Sequence, residues 1–201
     1  PEILPNNSRG VTPNLPRTPE RFMDRLLEKK TQPMPPPAFP PQASAAPLHV
    51  SSAGGGRLER ALASAPTARD ASAVVVEHLA RTGLMPSVYL EQGGRLRCQA
   101  SRGYWQVYDG MPSSAGVIGL TFRTGTATAV SDISEHPEFV ESVPSVVAEV
   151  CAPLKIGERT VGVINADSPT RPDEGVRWEV ERCADLLARH SRIDITVKAM
   201  G

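Results

Sequence analysis

The stretch AEVCAPLKIGERTVGVINADSP, residues 148–169, decides how the fold is interpreted. Two runs rich in strand-forming residues flank a turn that contains Gly157, and this pattern predicts a β-hairpin. The runs are apolar enough to be buried, yet Glu149, Asn165 and Asp167 lie within them. Because a buried polar group without a partner costs roughly 1–3 kcal/mol, these side chains require partners in the protein or in a ligand.

The length of the turn determines which of these side chains share a face of the hairpin. A two-residue turn at residues 157–158 would place Glu149 and Asn165 on opposite faces. A three-residue loop over residues 155–157, with Gly157 in the left-handed region as a bulge, would place them on the same face. We favour the three-residue loop, because glycine is the residue that its third position requires.

This loop gives the predicted hairpin two faces of different character. One face is small or apolar and suits packing beneath helices, whereas the other gathers the polar groups toward one end. The first face comprises Ala148, Val150, Ala152, Leu154, Gly162, Ile164 and Ala166. The second face comprises Glu149, Cys151, Val161, Val163, Asn165 and Asp167.

Composition and charge exclude several classes of protein. Lys+Arg and Asp+Glu both number 22, so the formal net charge is zero, and the basic patch typical of nucleic-acid-binding proteins is missing. No apolar run reaches the roughly 18 residues that a membrane-spanning helix needs. Three widely spaced cysteines without a CxxC pair indicate reduced thiols. We therefore expect a cytoplasmic protein with no nucleic-acid or membrane partner.

The chain is predicted to divide into a tail, a globular domain and a short final segment. Residues 1–56 form a proline-rich tail, and its stretch 32–47 cannot build a helix or a central strand because proline lacks the N–H that both need. Within the tail, residues 18–30 carry apolar side chains at helical spacing and predict a short amphipathic helix. Residues 57–195 form the globular domain, and residues 196–201 begin a linker.

The globular domain shows the order helix, hairpin, aromatic strand, crossing segment, hairpin, helix. Apolar spacing and glycine positions predict helices at 57–64, 69–82, 115–125 and 173–195, and strands at 87–92, 95–101 and 127–132 in addition to the hairpin already described. The aromatic stretch 104–110 is either a further strand or a transition from strand to loop. These elements predict an α+β fold: one antiparallel sheet with the terminal helices on one face and irregular segments on the other.

Motifs spread over about residues 58–190 resemble the GAF domain family. They are GVIGLTFRTGTATAVSDISEHPEF (116–139), the hairpin 148–169 and the long helix after it. The resemblance implies a five- or six-stranded antiparallel sheet with a ligand pocket roofed by residues 103–146. It also implies a regulatory module of a larger bacterial signalling protein, with its output domain outside this chain. The stretch RGYWQVYDGMPSSAGVIG (102–119) is further similar to GAF domains attached to cyclic-di-GMP turnover domains, although no GGDEF or EAL motif occurs here.

The candidate ligand site combines the polar face of the hairpin with the segment that crosses it, and no cofactor is assigned. A cyclic nucleotide would place its phosphate at Arg123 and the N–H groups of residues 116–119, whereas a haem would be bound through His136. In the alternative interpretation, Glu149 and Asp167 only accept hydrogen bonds from backbone N–H groups of the crossing segment. The candidate ligand-binding residues are Tyr104, Trp105, Tyr108, Arg123, His136, Glu149, Cys151, Asn165 and Asp167.

One branch of the family is an enzyme, the free methionine-(R)-sulfoxide reductase. Glu149 and Asp167 match two of the acidic residues that bind its substrate, and Asn165 stands where a third is found. That branch also requires a nucleophilic cysteine in the loop before the glutamate, but residues 139–148, FVESVPSVVA, contain no thiol. We therefore expect no catalytic residues and a non-catalytic sensory module. The alternatives are a ligand-free structural GAF module that mediates dimerisation, and a redox enzyme.

The helices that frame the domain are the expected contact of a homodimer. In the last helix, one stripe is expected to face the sheet, namely Val176, Val180, Cys183 and Leu187. Three apolar residues lie off that stripe and are candidates to meet a second copy, namely Trp178, Leu186 and Ile193. No metal site is predicted. The histidines away from the crossing segment have the positions of linker or helix-surface residues; they are His49, His78 and His190.

Overall fold

The computed structural model describes residues 55–104, 107–133, 146–190 and 193. Several predictions concern residues outside these ranges: the tail helix at 18–30, the linker at 196–201, and the candidate site residues Trp105 and His136. Among the helices that are described, none combines the length and apolar character that crossing a membrane requires.

An antiparallel sheet of six strands organises the described part of the chain. Its strands are β1 (Met85–Gln92), β2 (Arg95–Ser101), β3 (Met111–Pro112), β4 (Thr128–Val130), β5 (Ala148–Ile156) and β6 (Arg159–Ser168). Their order in the sheet is β3-β2-β1-β6-β5-β4, so β1 and β6 pair in the middle and join the two hairpins side by side. The predicted α+β architecture with one antiparallel sheet is confirmed.

Four described helices accompany the sheet: α1 (Gly55–Ala63), α2 (Ala68–Ala80), α3 (Gly116–Thr124) and α4 (Glu174–Ala188). Side chains cap two of them, because the Thr67 hydroxyl accepts a hydrogen bond from the amide of Asp70, and Asp173 accepts one from the amide of Val176. Helix α3 ends at Gly125, which adopts the left-handed conformation with φ of 61°. The predicted end of this helix is therefore confirmed.

Helices α1, α2 and α4 bury one face of the sheet. The core consists of aliphatic side chains from both layers, including Leu58, Val75, Leu79, Val88, Leu90, Val150, Leu154, Ile164, Val180 and Leu187. Each fully buried Val, Leu or Ile side chain contributes roughly 1.5–3 kcal/mol. The stripe of α4 predicted to face the sheet, from Val176 to Leu187, lies in this core.

The turn of the β5–β6 hairpin differs from the prediction, although the predicted sharing of a face is correct. Ile156 pairs with Arg159, so the turn has two residues, and Gly157 adopts a φ of 61°. The register then shifts by one residue between Leu154 and Lys155, and Val161 is the extra residue on β6. This bulge restores the parity that a two-residue turn alone would have reversed. As a consequence, Val161 packs in the core beneath the helices rather than on the polar face.

The structure decides or corrects several further predictions. Of the two alternatives for 104–110, the strand is wrong for the described residues, and only Met111–Pro112 pairs with β2 there. Helix α4 ends at Ala188, short of the predicted residue 195. Ile193 is fully buried in the core and is not available to a second copy. Leu186 is half-buried and packs against the same core.

Two histidines expected on helix surfaces or in linkers make specific interactions. His78 of α2 lies 2.7 Å from a carboxylate oxygen of Glu179 in α4. His190 lies 2.9 Å from the carbonyl oxygen of Leu62 in α1. The first contact joins two framing helices, and the second joins α1 to the residues just after α4. Both link residues more than one hundred positions apart in sequence, which explains why no local pattern indicated them.

Candidate functional site

The pairing of β5 with β6 brings four predicted site residues together. Glu149 lies directly opposite Asp167, and Cys151 lies directly opposite Asn165. Residues two apart on a strand share a face, so the four side chains form one square on the sheet. All four are buried, with at most 4% of each residue exposed. We refer to these four residues, together with Tyr104, as the polar floor.

Within the polar floor the thiol and the amide connect the two carboxyl groups. Cys151 Sγ lies 3.2 Å from Asn165 Oδ1 and 3.4 Å from Glu149 Oε1. Asn165 Nδ2 donates to Asp167 Oδ1 at 3.3 Å. The contacts therefore run as a chain from Glu149 through Cys151 and Asn165 to Asp167.

Tyr104 closes the polar floor on the side of β1. Its hydroxyl donates to the carbonyl oxygen of Met85 at 2.6 Å and accepts from Asn165 Nδ2 at 3.2 Å. The Ser87 hydroxyl also donates to the Tyr104 hydroxyl oxygen, at 3.4 Å. Tyr104 follows β2 in the chain, so its contacts fix the start of the crossing segment against the floor.

Helix α3 covers the other side of the floor. Thr121 is fully buried, and its hydroxyl lies against the Cys151 thiol. The same hydroxyl donates to Thr128 Oγ1 in β4 at 2.9 Å. Gly119 of this helix lies against the turn that precedes it, where a Cβ atom would lie 2.8 Å from the backbone of Ser114, so only glycine fits. The described parts of the crossing segment, Tyr104 and α3, thus lie on the face opposite the framing helices, as predicted.

Electrostatics in the polar floor favour neutral groups. Burial, followed by the nearby charge of Asp167, raises the pKa of Glu149 to about 8. Burial, followed by the charges of Glu149 and Asp167, also raises the pKa of the Cys151 thiol well above its ordinary value. Burial, followed by the charge of Asp167, raises the pKa of Tyr104 as well. At neutral pH, Glu149 therefore retains its proton and Cys151 remains a thiol.

The remaining predicted site residues lie apart from these contacts or outside the described residues. Arg123 is exposed at the end of α3, and its guanidinium donates to the carbonyl oxygen of Ser114. Tyr108 is half-buried in the segment that leads into β3. Trp105 and His136 belong to the ranges that the structure does not describe.

Three hydroxyl groups around the floor were not predicted from the sequence, namely Ser87, Thr121 and Thr128. Ser87 had a signal, because it is a polar residue at the start of an otherwise apolar strand. Thr121 and Thr128 had no such signal in the sequence, because threonine also occurs commonly on exposed helices and strands. Chemically, the assembled floor offers several acceptor oxygens and hydroxyl groups, but no thiolate.

Known proteins resemble this chain in sequence pattern and in fold. The family model described as GAF domain matches residues 58–189. No curated protein matches the sequence. Several solved structures share the fold, at identities of about one fifth.

Three of these structures illustrate the range. The GAF domain of an Acinetobacter phosphoenolpyruvate-protein phosphotransferase has a TM-score of 0.62 at 19% identity, over 73% of this chain and 93% of that one. The free methionine-R-sulfoxide reductase of Neisseria meningitidis, solved with its substrate, has a TM-score of 0.64 at 21% identity, over 77% and 98%. The nlh2 GAF domain of A. aeolicus in an inactive state has a TM-score of 0.60 at 18% identity, over 69% and 93%.

Proposed function

Because the chain belongs to the GAF domain family, we propose that it is a non-catalytic sensory module that binds a small ligand over the polar floor and thereby controls an output domain. The observation that supports this proposal is the arrangement of Glu149, Cys151, Asn165 and Asp167 as one buried square beneath a covering helix. Polar groups are costly to bury, and the floor concentrates them on the face that the crossing segment covers.

The chemistry of the floor indicates the kind of ligand. Glu149 and Asp167 supply acceptor oxygens on adjacent strands. At neutral pH, Glu149 is protonated beside Asp167. A ligand with N–H donors or a positive charge would bind to these oxygens and would stabilise the ionised form of Glu149 beside Asp167. We therefore propose that the ligand presents such a group to the Glu149–Asp167 end of the floor.

The same geometry argues against the reductase reaction, although reductases share the fold. A thiol nucleophile acts as its thiolate, whereas burial and two neighbouring carboxyl groups raise the pKa of Cys151 well above its ordinary value. The chain's other thiols lie elsewhere: Cys98 is in β2 with a pKa raised by burial to about 11, and Cys183 is in α4 beneath the sheet. None is in residues 139–148, where that branch of the family requires one.

A ligand-free structural module is the second candidate, and one observation favours it. Among the described residues, every buried side-chain nitrogen or oxygen atom has a hydrogen-bond partner. Contacts among the five members of the polar floor provide part of these partners, as in a purely architectural network. In that case the domain would serve only to position the output domain and to mediate dimerisation.

In either case, α4 is the proposed route to the output domain. It begins six residues after β6 ends and packs on the sheet opposite the floor. Its outer side carries Trp178, which is 61% exposed. We propose that the framing helices pair two copies through this side, as an isologous contact. Similarity of residues 102–119 to GAF domains of cyclic-di-GMP enzymes suggests the class of output domain. The free thiols Cys98, Cys151 and Cys183 support a cytoplasmic location.

Native mass spectrometry of the full chain, purified under mild conditions, tests ligand binding. We expect a retained small molecule that is lost in Asp167→Asn and kept in Asp185→Asn, which changes an exposed carboxylate on α4. The same preparations should be assayed for reduction of free methionine-(R)-sulfoxide with a thiol reductant. No retained molecule, and no thermal shift with a library of amines and nucleotides, would favour the structural module. Turnover of the sulfoxide would contradict the non-catalytic assignment.

A further inference from the structure

A second polar cluster lies on the opposite side of the sheet, between α2 and α4. His78 extends from α2, and Glu179 and Cys183 extend from α4 one turn apart. The two α4 residues are buried, and 19% of the His78 side chain is exposed. Glu179 Oε1 lies 2.7 Å from His78 Nε2 and 3.8 Å from Cys183 Sγ. One potential metal-ligand atom from each residue lies within 4.8 Å of the other two.

We propose that His78, Glu179 and Cys183 bind a Zn²⁺ ion. Imidazole nitrogen, carboxylate oxygen and thiolate sulfur are the donor types that zinc takes in proteins. With metal–ligand bonds of about 2.0–2.3 Å, neighbouring donors in a tetrahedral zinc site lie about 3.3–3.8 Å apart. The His78–Glu179 pair is slightly closer than this, so small side-chain rotations reach the required geometry. The three residues leave the fourth position for a water molecule or another ligand.

Arg182 is the internal competitor of the metal ion. Its guanidinium donates to both oxygens of Glu179, at 2.9 and 2.7 Å, and so occupies the carboxylate that the ion needs. However, Arg182 has a second set of partners. It lies 3.8 Å from Glu59 of α1 and 5.7 Å from the centre of the Trp178 ring. An ion that takes Glu179 can therefore leave Arg182 paired with Glu59 and stacked on Trp178.

The consequence is a link between the two framing helices. Helices α2 and α4 meet at this cluster, and α4 is the element that follows the polar floor. A metal ion bound to both helices would stabilise the folded chain by an amount that grows with free metal concentration. It would also rigidify the proposed exit route independently of any ligand on the other face of the sheet.

Titration of the full chain with Zn²⁺ and Co²⁺ tests this proposal. We expect one ion that binds at the cluster, and for Co²⁺ a thiolate-to-metal charge-transfer absorption in the near ultraviolet. The absorption should vanish in Cys183→Ala and the affinity should fall at least about tenfold in His78→Gln, whereas Cys98→Ala should change neither. Binding without the charge-transfer band, or a band that survives in Cys183→Ala, would overturn the assignment, as would the absence of binding.

Arg182→Gln provides the opposite test, because it removes the competitor without touching a ligand. We expect metal affinity to rise by about tenfold, which corresponds to the loss of one ion pair that the metal no longer has to break. Arg177→Gln is the matched control, since Arg177 pairs with the exposed Glu181 one turn away on the same helix. If Arg182→Gln lowers or leaves unchanged the affinity for Zn²⁺, the cluster is an ionic bridge between helices and not a metal site.

Discussion

Two buried glutamates, one on each face of the sheet, have pKa values that are shifted in opposite directions. Glu149 on the polar floor is 4% exposed, and its pKa is raised to about 8. Glu179 between the helices is 2% exposed, and its pKa is lowered to about 2. Burial opposes ionisation in both cases. At Glu179, however, hydrogen bonds from His78 and Arg182 outweigh burial, whereas at Glu149 the neighbouring Asp167 adds to it.

The comparison shows that partners, and not depth, decide the charge of a buried carboxyl group. Glu179 is an ion that holds α2 and α4 together, so it contributes stability as long as it is ionised. Glu149 is neutral in the folded protein but would be ionised in the unfolded chain at neutral pH. This difference lowers the stability of the folded state at neutral pH. A ligand that stabilises the ionised form would recover part of that stability, which links the acidity of Glu149 to the proposed sensory role.

Glu149→Gln should produce the largest effect, and the effect should depend on pH. Because the folded-state pKa of about 8 lies above the ordinary value of 4.5, the unfolded state loses its proton first as pH rises. Wild-type stability should therefore fall between about pH 4.5 and 8, by up to several kcal/mol. The glutamine variant lacks this titration, so its advantage over wild type should grow across the same interval. Urea unfolding at several pH values measures it, and parallel pH profiles for the two proteins would contradict the neutral state of Glu149.

Glu179→Gln should destabilise the protein by about 3 kcal/mol at neutral pH, because it leaves His78 and Arg182 without their anionic partner. The pH dependence has the opposite sign from that of Glu149. The pKa of about 2 lies below the ordinary 4.5, so the stabilisation is present above about pH 4.5 and is lost as pH falls through 2. Urea unfolding with a chelator present, which removes any metal contribution, is the measurement. A loss below 1 kcal/mol, roughly that of an exposed ion pair, would show that the bridge is not held in the folded state.

Sequence patterns predicted the polar floor well and the second cluster not at all, for a physical reason. Alternation along β5 and β6 places residues two apart on one face, so four of the floor residues followed from the hairpin alone. The turn was predicted incorrectly, yet the bulge at Val161 compensated for the error, since only the parity of the register matters for facing. By contrast, His78 and Glu179 meet only because two distant helices pack on one sheet. Apolar periodicity locates such helices but does not specify which polar side chains face each other between them.

Asn165→Asp tests the floor from the opposite direction, by adding a third carboxyl group. The amide of Asn165 donates to Tyr104 and to Asp167, and an ionised carboxylate can donate to neither. We expect a destabilisation of about 2 kcal/mol at neutral pH. The loss should grow as pH rises and diminish as pH falls, because burial and the neighbouring carboxyl groups favour the protonated form of the added group. The wild type and Asp185→Asn, measured by the same urea unfolding, provide the baseline. A variant as stable as wild type at alkaline pH would indicate a cationic partner at the floor and so would support an amine ligand.

Trp178→Ala should have the smallest effect on the stability of the folded monomer. It is therefore the clearest test of whether the outer side of α4 is a contact between two copies. Trp178 is 61% exposed, and the Arg182 guanidinium lies 5.7 Å from the centre of its ring. Losing that exposed contact should cost at most about 1 kcal/mol. Leu186 is unsuitable for the same purpose, because it packs against the core and a charged residue there would damage the fold. If α4 pairs two copies, Trp178→Ala should weaken self-association of the full chain. Sedimentation or light scattering across a concentration series measures this. The unfolding curve of the variant at low concentration should remain nearly unchanged. Equal self-association of the variant and wild type would exclude the outer side of α4 as the dimer contact and leave Trp178 as a surface residue beside Arg182.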